Sequence, residues 1–196
     1  RSHESILCAW KDKKKRIFNR DDVREPYTDK YVKDYHGKER KRTKSKGRFT
    51  SKKSDAKDTV YTVNEKGALP RDVLKVSSLA GGAGRAERVF YCRKCGEAYH
   101  PKEMKHHKDH EIEEKKADGS VKMVSAILKH PTQKPQEVTN RLLKACMPKE
   151  GGVVVIPFVG SGGEVLTARK LGLNYIGFEL NEEYFKLINF FIENEL

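Results

Sequence analysis

One apolar run limits the fold more than any other part of the chain. Val153-Val154-Val155-Ile156 is a short β-branched stretch that stops at Pro157 and opens into Phe158-Val159-Gly160-Ser161-Gly162-Gly163. A helical pattern follows, from Gly162 to Leu171, with Ser161 as its expected cap and Gly172 as its stop. Asn174 to Phe178 is a second strand ending at Glu179, and Asn181 caps a last helix carrying Tyr184, Leu187, Ile188 and Phe191. Before the first strand, Pro135 opens a helix with Val138, Leu142 and Cys146 on one stripe and Leu143 beside it. The last third therefore reads α-β-α-β-α. Apolar strands alternating with helices make a parallel sheet, so the expected fold class is α/β, a Rossmann-like half.

The glycine turn narrows the ligand. Gly160 and Gly162 let backbone approach a bound molecule, and the following helix aims its N–H groups there. Glu179, at the tip of the next strand, can accept both hydroxyls of a ribose. A dinucleotide fingerprint needs glycine at position 165, where this chain has Val165, and no Lys-Ser/Thr follows the glycines as a P-loop requires. An adenosine ligand without a pyrophosphate remains, and S-adenosylmethionine fits.

Composition confines the core to part of the chain. Hydrophobic residues are 36% and charged residues 35%, with a net charge of +13 and a pI near 9.5. From Lys38 to Lys53, nine of sixteen residues are Lys or Arg, whereas the last eighteen hold five Glu and one Lys. This asymmetry favours a polyanionic partner, nucleic acid being the commonest. No apolar run approaches the roughly 20 residues that span a bilayer, and no signal-peptide core is present. Asp21 to Tyr61 lacks an apolar period and reads as a long loop.

Four cysteines, Cys8, Cys92, Cys95 and Cys146, do not make a secreted disulfide framework. Cys92-Arg93-Lys94-Cys95 is a zinc knuckle in form, and His106, His107 and His110 follow it. Either His106 with His110 or His107 with His110 completes a Cys2His2 set near finger spacing. Phe90 to His110 is therefore expected to be a compact unit held by structural zinc, followed by a charged linker from Glu111 to Ser120 that turns at Asp118-Gly119. At the other end, Glu4 to Trp10 reads as a strand that Ile17 and Phe18 extend into a hairpin.

Three separated segments carry a resemblance: His130-Pro131-Thr132-Gln133-Lys134-Pro135, then Pro157-Phe158-Val159-Gly160-Ser161-Gly162, then Ile176-Gly177-Phe178-Glu179-Leu180 with Tyr184. In identity, order and spacing they resemble the C-terminal part of the β-class DNA amino-methyltransferases, which act on adenine N6 or cytosine N4. His3 to Leu7, Phe18-Asn19, Val23-Arg24 with Pro26-Tyr27, and Gly67, Pro70, Asp72 and Val73 resemble the same family more loosely. The resemblance covers nearly the whole chain, interrupted by the basic loop and the cysteine unit.

The resemblance implies a Rossmann-like S-adenosylmethionine-dependent fold, present as its C-terminal half, with a basic loop and a zinc-binding insert. Residues 1–27 would belong to the methyltransferase sheet. Residues 28–128 would recognise the target, with the basic loop at 36–58 and the finger-like unit at 90–110. Residues 129–196 would bind cofactor. Thr132, Gln133 and Lys134 would lie beside the methionine end of S-adenosylmethionine, Lys134 on its carboxylate. Pro157, Phe158, Gly160, Ser161 and Gly162 would wrap the cofactor, Glu179 would hold the ribose and Phe178 or Leu180 would cover the adenine. Arg42, Lys44, Lys46 and Arg48, with Arg93 and Lys94 of the finger, would contact double-stranded DNA.

Two departures qualify this picture. Where the family has Asp before Pro-Phe, this chain has Ile156, and the family's catalytic (Asp/Asn/Ser)-Pro-Pro-Tyr is absent. The chain is thus expected to be a C-terminal fragment or one half of a split enzyme, inactive alone. A missing N-terminal part or a partner subunit would carry the catalytic motif. A cytoplasmic, prokaryotic or phage- or plasmid-borne restriction–modification setting follows. The competing readings are a non-catalytic zinc-finger nucleic-acid-binding module and, disfavoured by Val165, an oxidoreductase domain.

Overall fold

The computed structural model describes residues 4–40, 59–79 and 82–194. The chain forms two compact units: Asn19–Asp72, and Arg1–Phe18 together with Val73–Leu196.

The first unit contains more order than its polar sequence suggests. Helix α1 (Asp29–Tyr35) starts at Thr28, whose hydroxyl accepts from the Tyr31 amide. Strands β1 (Glu39–Arg40) and β2 (Thr59–Val60) pair antiparallel. The predicted long loop is therefore corrected at both ends by regular structure. A Glu25–Ala68 bridge joins its two flanks. Arg24 locks them, donating to Asp21 at 2.7 Å and to the Gly67 carbonyl at 2.8 Å. A Cβ on Gly67 would overlap the Glu25 carbonyl, so this crossing requires glycine.

The second unit begins with residues 4–18, which form no strand; only a 3-10 turn at Lys13–Lys15 interrupts them. The expected strand from Glu4 to Trp10 is thus not made, and Leu7 is 92% exposed. An apolar run becomes a strand only where a sheet edge accepts it, and no ladder among the described residues involves this one.

Strand β3 (Phe90–Cys92) lies between β4 (Glu97–Tyr99) and β7 (Ile127–Lys129), antiparallel to both. Strands β5 (Glu111–Lys115) and β6 (Val121–Ser125) pair as a hairpin. The expected charged linker is therefore half of a hairpin, and its Asp118-Gly119 turn is where the sequence places it. Asp118 accepts from the Ser120 amide and hydroxyl, and Gly119 has φ +85°.

Helix α2 (Gln136–Cys146) leads to strand β8 (Val153–Ile156), helix α3 (Gly163–Lys170), strand β9 (Asn174–Gly177) and helix α4 (Glu182–Glu193). The two strands are parallel, with Val155 opposite Ile176. The order α-β-α-β-α is the one the sequence pattern predicts. Asn181 caps α4, accepting from the Glu183 and Tyr184 amides. Helix α2 buries Thr139 and Ala145, while Cys146, expected on the buried stripe, is exposed.

The main core gathers Ile156, Val159, Val165, Leu166, Leu187, Ile188 and Phe191, together with Val89, Tyr91 and Ala98. A second cluster holds Phe90, Cys92, Tyr99 and Ala126. Alternation along β3 sends Tyr91 into the first and Phe90 and Cys92 into the second. The cysteine unit is consequently not the separate body expected: one side of its hairpin packs in the main core, and His100 meets the Phe191 ring at 5.3 Å.

Among the described residues, the parallel pair is covered on one face only. Val154, Ile156 and Tyr175 pack against the core, whereas Val153, Val155 and Ile176 on the other face are half or more exposed. At the strand ends Phe158, Phe178 and Leu180 are exposed as well.

Candidate functional site: a glycine turn and a cysteine–histidine cluster

The turn after β8 is built by extending the sheet. The Phe178 amide donates to the Ile156 carbonyl and the Val159 amide to the Phe178 carbonyl, both at 2.9 Å. Val159 is buried and Phe158 stands out at 89% exposure. Gly162, not Ser161, is the N-cap of α3; its φ of +83° is left-handed, and a Cβ there would overlap Ile188. Ser161 is buried, and its expected cap hydrogen bond is not made.

Glu179 reaches back to this turn. One carboxylate oxygen accepts the Gly160 amide at 2.7 Å and the other the Asn181 amide at 2.8 Å. A carboxylate offers about four acceptor positions, so each oxygen keeps one.

Strand β7 delivers residues 130–134 to the same turn. The His130 ring lies 2.8 Å from the place a Cβ on Gly160 would take, and it meets Tyr184 edge-on at 4.7 Å. Its buried Nδ1 has no hydrogen-bond partner. Burial lowers the His130 pKa, against the opposing pull of Glu179 and Glu164. The Lys134 carbonyl lies 3.6 Å from the Cβ position of Gly163, the first residue of α3. Its ammonium binds both oxygens of Glu4, at 2.6 and 2.7 Å.

Gln133, expected beside the cofactor's methionine end, is held by backbone at both ends of its amide. Its carbonyl oxygen accepts the Val89 amide and its NH2 donates to the Glu87 carbonyl. Glu87 in turn accepts the Gln136 amide and caps α2. Neither role has a sequence signal beyond the motif itself. Thr132 and Pro157 are exposed, as is Phe178 at the strand tip.

The second cluster comprises Cys92, Cys95, His107 and His110, whose ligand atoms all lie within 4.8 Å of one another. Cys92 Sγ is 3.3 Å from His110 Nδ1, and Cys95 Sγ is 3.2 Å from His107 Nδ1 and 3.8 Å from His110 Nδ1. A tetrahedral zinc with Zn–S of about 2.3 Å and Zn–N of about 2.0 Å needs S···N separations of roughly 3.5 Å. Of the two histidine sets that spacing leaves open, the geometry gathers His107 with His110; His106 stands outside and exposed.

Burial opposes ionisation of Cys92, but hydrogen bonds from Cys95, His110 and the Lys94 backbone outweigh it and bring the thiol down to about 6. Burial, then the neighbouring Cys92, push Cys95 up to about 11. One proton shared between two close sulfurs marks a pair that a cation would relieve. Tyr99 stacks on His107 at 4.2 Å and fixes its ring. The His110 carbonyl accepts the Ala126 amide, which ties the knuckle to the β5–β6 hairpin.

Of the residues expected at DNA, Lys94 is exposed. The Arg93 guanidinium is engaged, donating to the Ser125 carbonyl at 2.9 Å and lying 3.9 Å from Glu183. Arg42, Lys44, Lys46 and Arg48 lie outside the described residues. No helix among the described residues is long and apolar enough to cross a membrane.

A family model described as DNA methylase matches residues 1–190. The Type II methyltransferase M1.MboII of Moraxella bovis is 34% identical over 98 residues, covering 50% of this chain and 33% of that protein. M2.DpnII of Streptococcus pneumoniae is 42% identical over 67 residues (34% of this chain, 25% of that protein), and M.ScaI of Streptomyces caespitosus 49% over 55 (28% and 18%). A crystal structure of an M1.HpyAVI-SAM complex shares 32% identity over 35% of this chain and 32% of that chain, with a TM-score of 0.30. The matches thus span a third or less of these relatives' lengths.

Proposed function

Since this chain belongs to the N6/N4 DNA methylase family, whose model spans residues 1–190, we propose that it is the cofactor-binding and target-recognition part of a site-specific DNA amino-methyltransferase. The complete enzyme moves the methyl group of S-adenosylmethionine to adenine N6 or cytosine N4 of double-stranded DNA. The observation that carries this reading is the hydrogen bond from the Gly160 amide to Glu179, in a turn that also receives residues 130–134.

S-adenosylmethionine supplies an activated methyl on a sulfonium. The chain's own residues bind and orient it. The free acceptor positions of Glu179 suit two ribose hydroxyls, and Gly160, Ser161 and Gly162 form the turn that the cofactor would lie against. Phe158 and Phe178, exposed beside the turn, offer faces for the adenine. Lys134 already holds a carboxylate, that of Glu4, as it would hold the methionine carboxylate. Pro157 and Thr132 flank the same loops. We assign His130 to supporting the turn and Gln133 to holding the motif loop.

The catalytic (Asp/Asn/Ser)-Pro-Pro-Tyr is not in this sequence. We propose that another polypeptide segment supplies it, either an N-terminal part or a partner subunit. The support is the uncovered face of Val153, Val155 and Ile176, because a parallel sheet is stable only with both faces covered. We propose part of the Rossmann-like division of labour read from the sequence: residues 28–128 for target recognition and 129–196 for cofactor. Structural zinc at Cys92, Cys95, His107 and His110 shapes the recognition part. Lys94 and the basic stretch containing Arg42, Lys44, Lys46 and Arg48 contact phosphates. The setting is a prokaryotic, cytoplasmic restriction–modification system.

The test is reconstitution. The chain alone should give no methylation of duplex DNA. Mixing it with a family polypeptide that carries the Pro-Pro-Tyr motif but lacks its own cofactor half should restore activity. Methylation by the chain alone would show that the catalytic residues lie within it.

A further inference from the structure

Helix α1 has no buried residue, and it carries a ladder of rings. Tyr27 and Tyr31 stack with centroids 5.3 Å apart and planes 10° apart, Tyr31 and Tyr35 lie 4.7 Å apart, and Tyr61 meets Tyr31 edge-on at 6.3 Å. The Tyr31 and Tyr61 hydroxyls are hydrogen-bonded at 3.0 Å. Backbone bonds tie the ladder to the β1–β2 pair: the Gly37 amide donates to the Tyr61 carbonyl and the Tyr61 amide to the Lys38 carbonyl. Yet the rings are not a core. Tyr35 is 52% and Tyr31 37% exposed, and Val32 beside them is 36% exposed. Val23 is the sole buried core hydrophobic described in this unit.

A seven-residue helix with nothing buried is marginal in water. The rings brace it and leave the last one, Tyr35, half-exposed. Lys30, Lys33, Lys38 and Arg40 alternate with Asp29, Asp34 and Glu39 along this stretch, and residues 19–72 hold sixteen Lys or Arg against ten Asp or Glu, the excess lying in 41–58, outside the described residues. Stacked aromatic rings beside cations are the recurring chemistry for holding unpaired nucleotides, the rings taking bases and the cations phosphates. Duplex DNA hides its base faces, so only unpaired bases can use such a surface.

We propose that the Tyr27–Tyr31–Tyr35 ladder is a stacking platform for unpaired bases of DNA, such as a strand opened beside the target. This rests on the reading of the chain as acting on DNA and adds a component of binding that salt does not screen. The alternative occupant, a protein partner covering the same rings, is separated by the test.

The full chain is titrated with a fluorescent single-stranded oligodeoxynucleotide, with its abasic counterpart, and with a duplex, over a range of salt. The wild type should bind the single strand more tightly than the abasic strand. Tyr35→Leu, at a half-exposed position, should weaken single-strand binding about tenfold and leave abasic binding and the salt slope unchanged. Tyr35→Phe should bind as the wild type does. Equal affinity for the normal and abasic strands, or a Tyr35→Leu variant that binds as well as the wild type, would overturn the platform while leaving duplex binding intact. Failure to bind any of the three DNAs would overturn the DNA reading itself.

Discussion

Glu179 accepts the backbone amide of Gly160 at 2.7 Å, across nineteen residues and a whole helix. The acid at the tip of β9 thereby fixes the loop at the tip of β8. The shape of that loop rests on residues that leave no room for side chains at its glycines.

Gly162→Ala should therefore destabilise the fold by about 1–3 kcal/mol, since it inserts a methyl into packed Ile188. Gly172→Ala is the control. Gly172 has φ +66° with nothing near its Cβ position, so only the left-handed backbone cost of about 1 kcal/mol applies. Urea midpoints at equal slope measure both.

Lys134 and Glu4 predict opposite effects on cofactor affinity. Lys134→Met should weaken S-adenosylmethionine binding about tenfold, the loss of one charge-assisted contact. Glu4→Gln should tighten it by about two- to fivefold, because an exposed competing ion pair of about 0.5–1 kcal/mol is removed. Calorimetry with both variants checks the signs.

His130 makes stability depend on pH. Its folded pKa lies below the ordinary 6.5, chiefly through burial. The unfolded chain therefore binds the proton more readily, and this contribution is full above pH 6.5 and lost as pH falls toward the folded value. Thermal midpoints of the wild type should fall more steeply than those of His130→Gln between pH 7 and pH 5.5.

Zinc should raise the thermal midpoint of the metal-free chain, and Cys95→Ser should abolish the gain. His106→Ala should keep it, because His106 stands outside the cluster, whereas His107→Ala should lose it. Cobalt in place of zinc should show the visible absorption of a tetrahedral thiolate site in the wild type and His106→Ala alone.

Much of residues 129–196 was legible because each of its elements has a local cause. The β-branched run 153–156, the glycine turn and the Asn181 cap are all written in adjacent residues. The choice of Gly162 over Ser161 as the cap was not, because it depends on Ile188 filling the space beside the turn. Glu4 to Trp10 misread as a strand because apolar character alone does not supply a neighbouring edge. The β5–β6 hairpin was hidden by its charge: most of its side chains face water, so no alternation between core and solvent marks it. The pairing of His107 with His110 turns on the 3-10 geometry of Pro101–His106, which spacing does not encode. The ladder did leave a trace, tyrosines at 27, 31 and 35 in four-residue steps, inside a stretch whose charge reads as loop.

Isothermal calorimetry of the zinc-loaded chain with S-adenosylmethionine tests the proposed cofactor turn most directly. The chain should bind one equivalent. Glu179→Ala should lose most of that affinity, and Gly160→Val, whose side chain would enter the His130 ring, should bind none while its cysteine–histidine site still takes zinc. No heat with the wild type, or equal binding by all three proteins, would contradict the assignment of this turn to the cofactor.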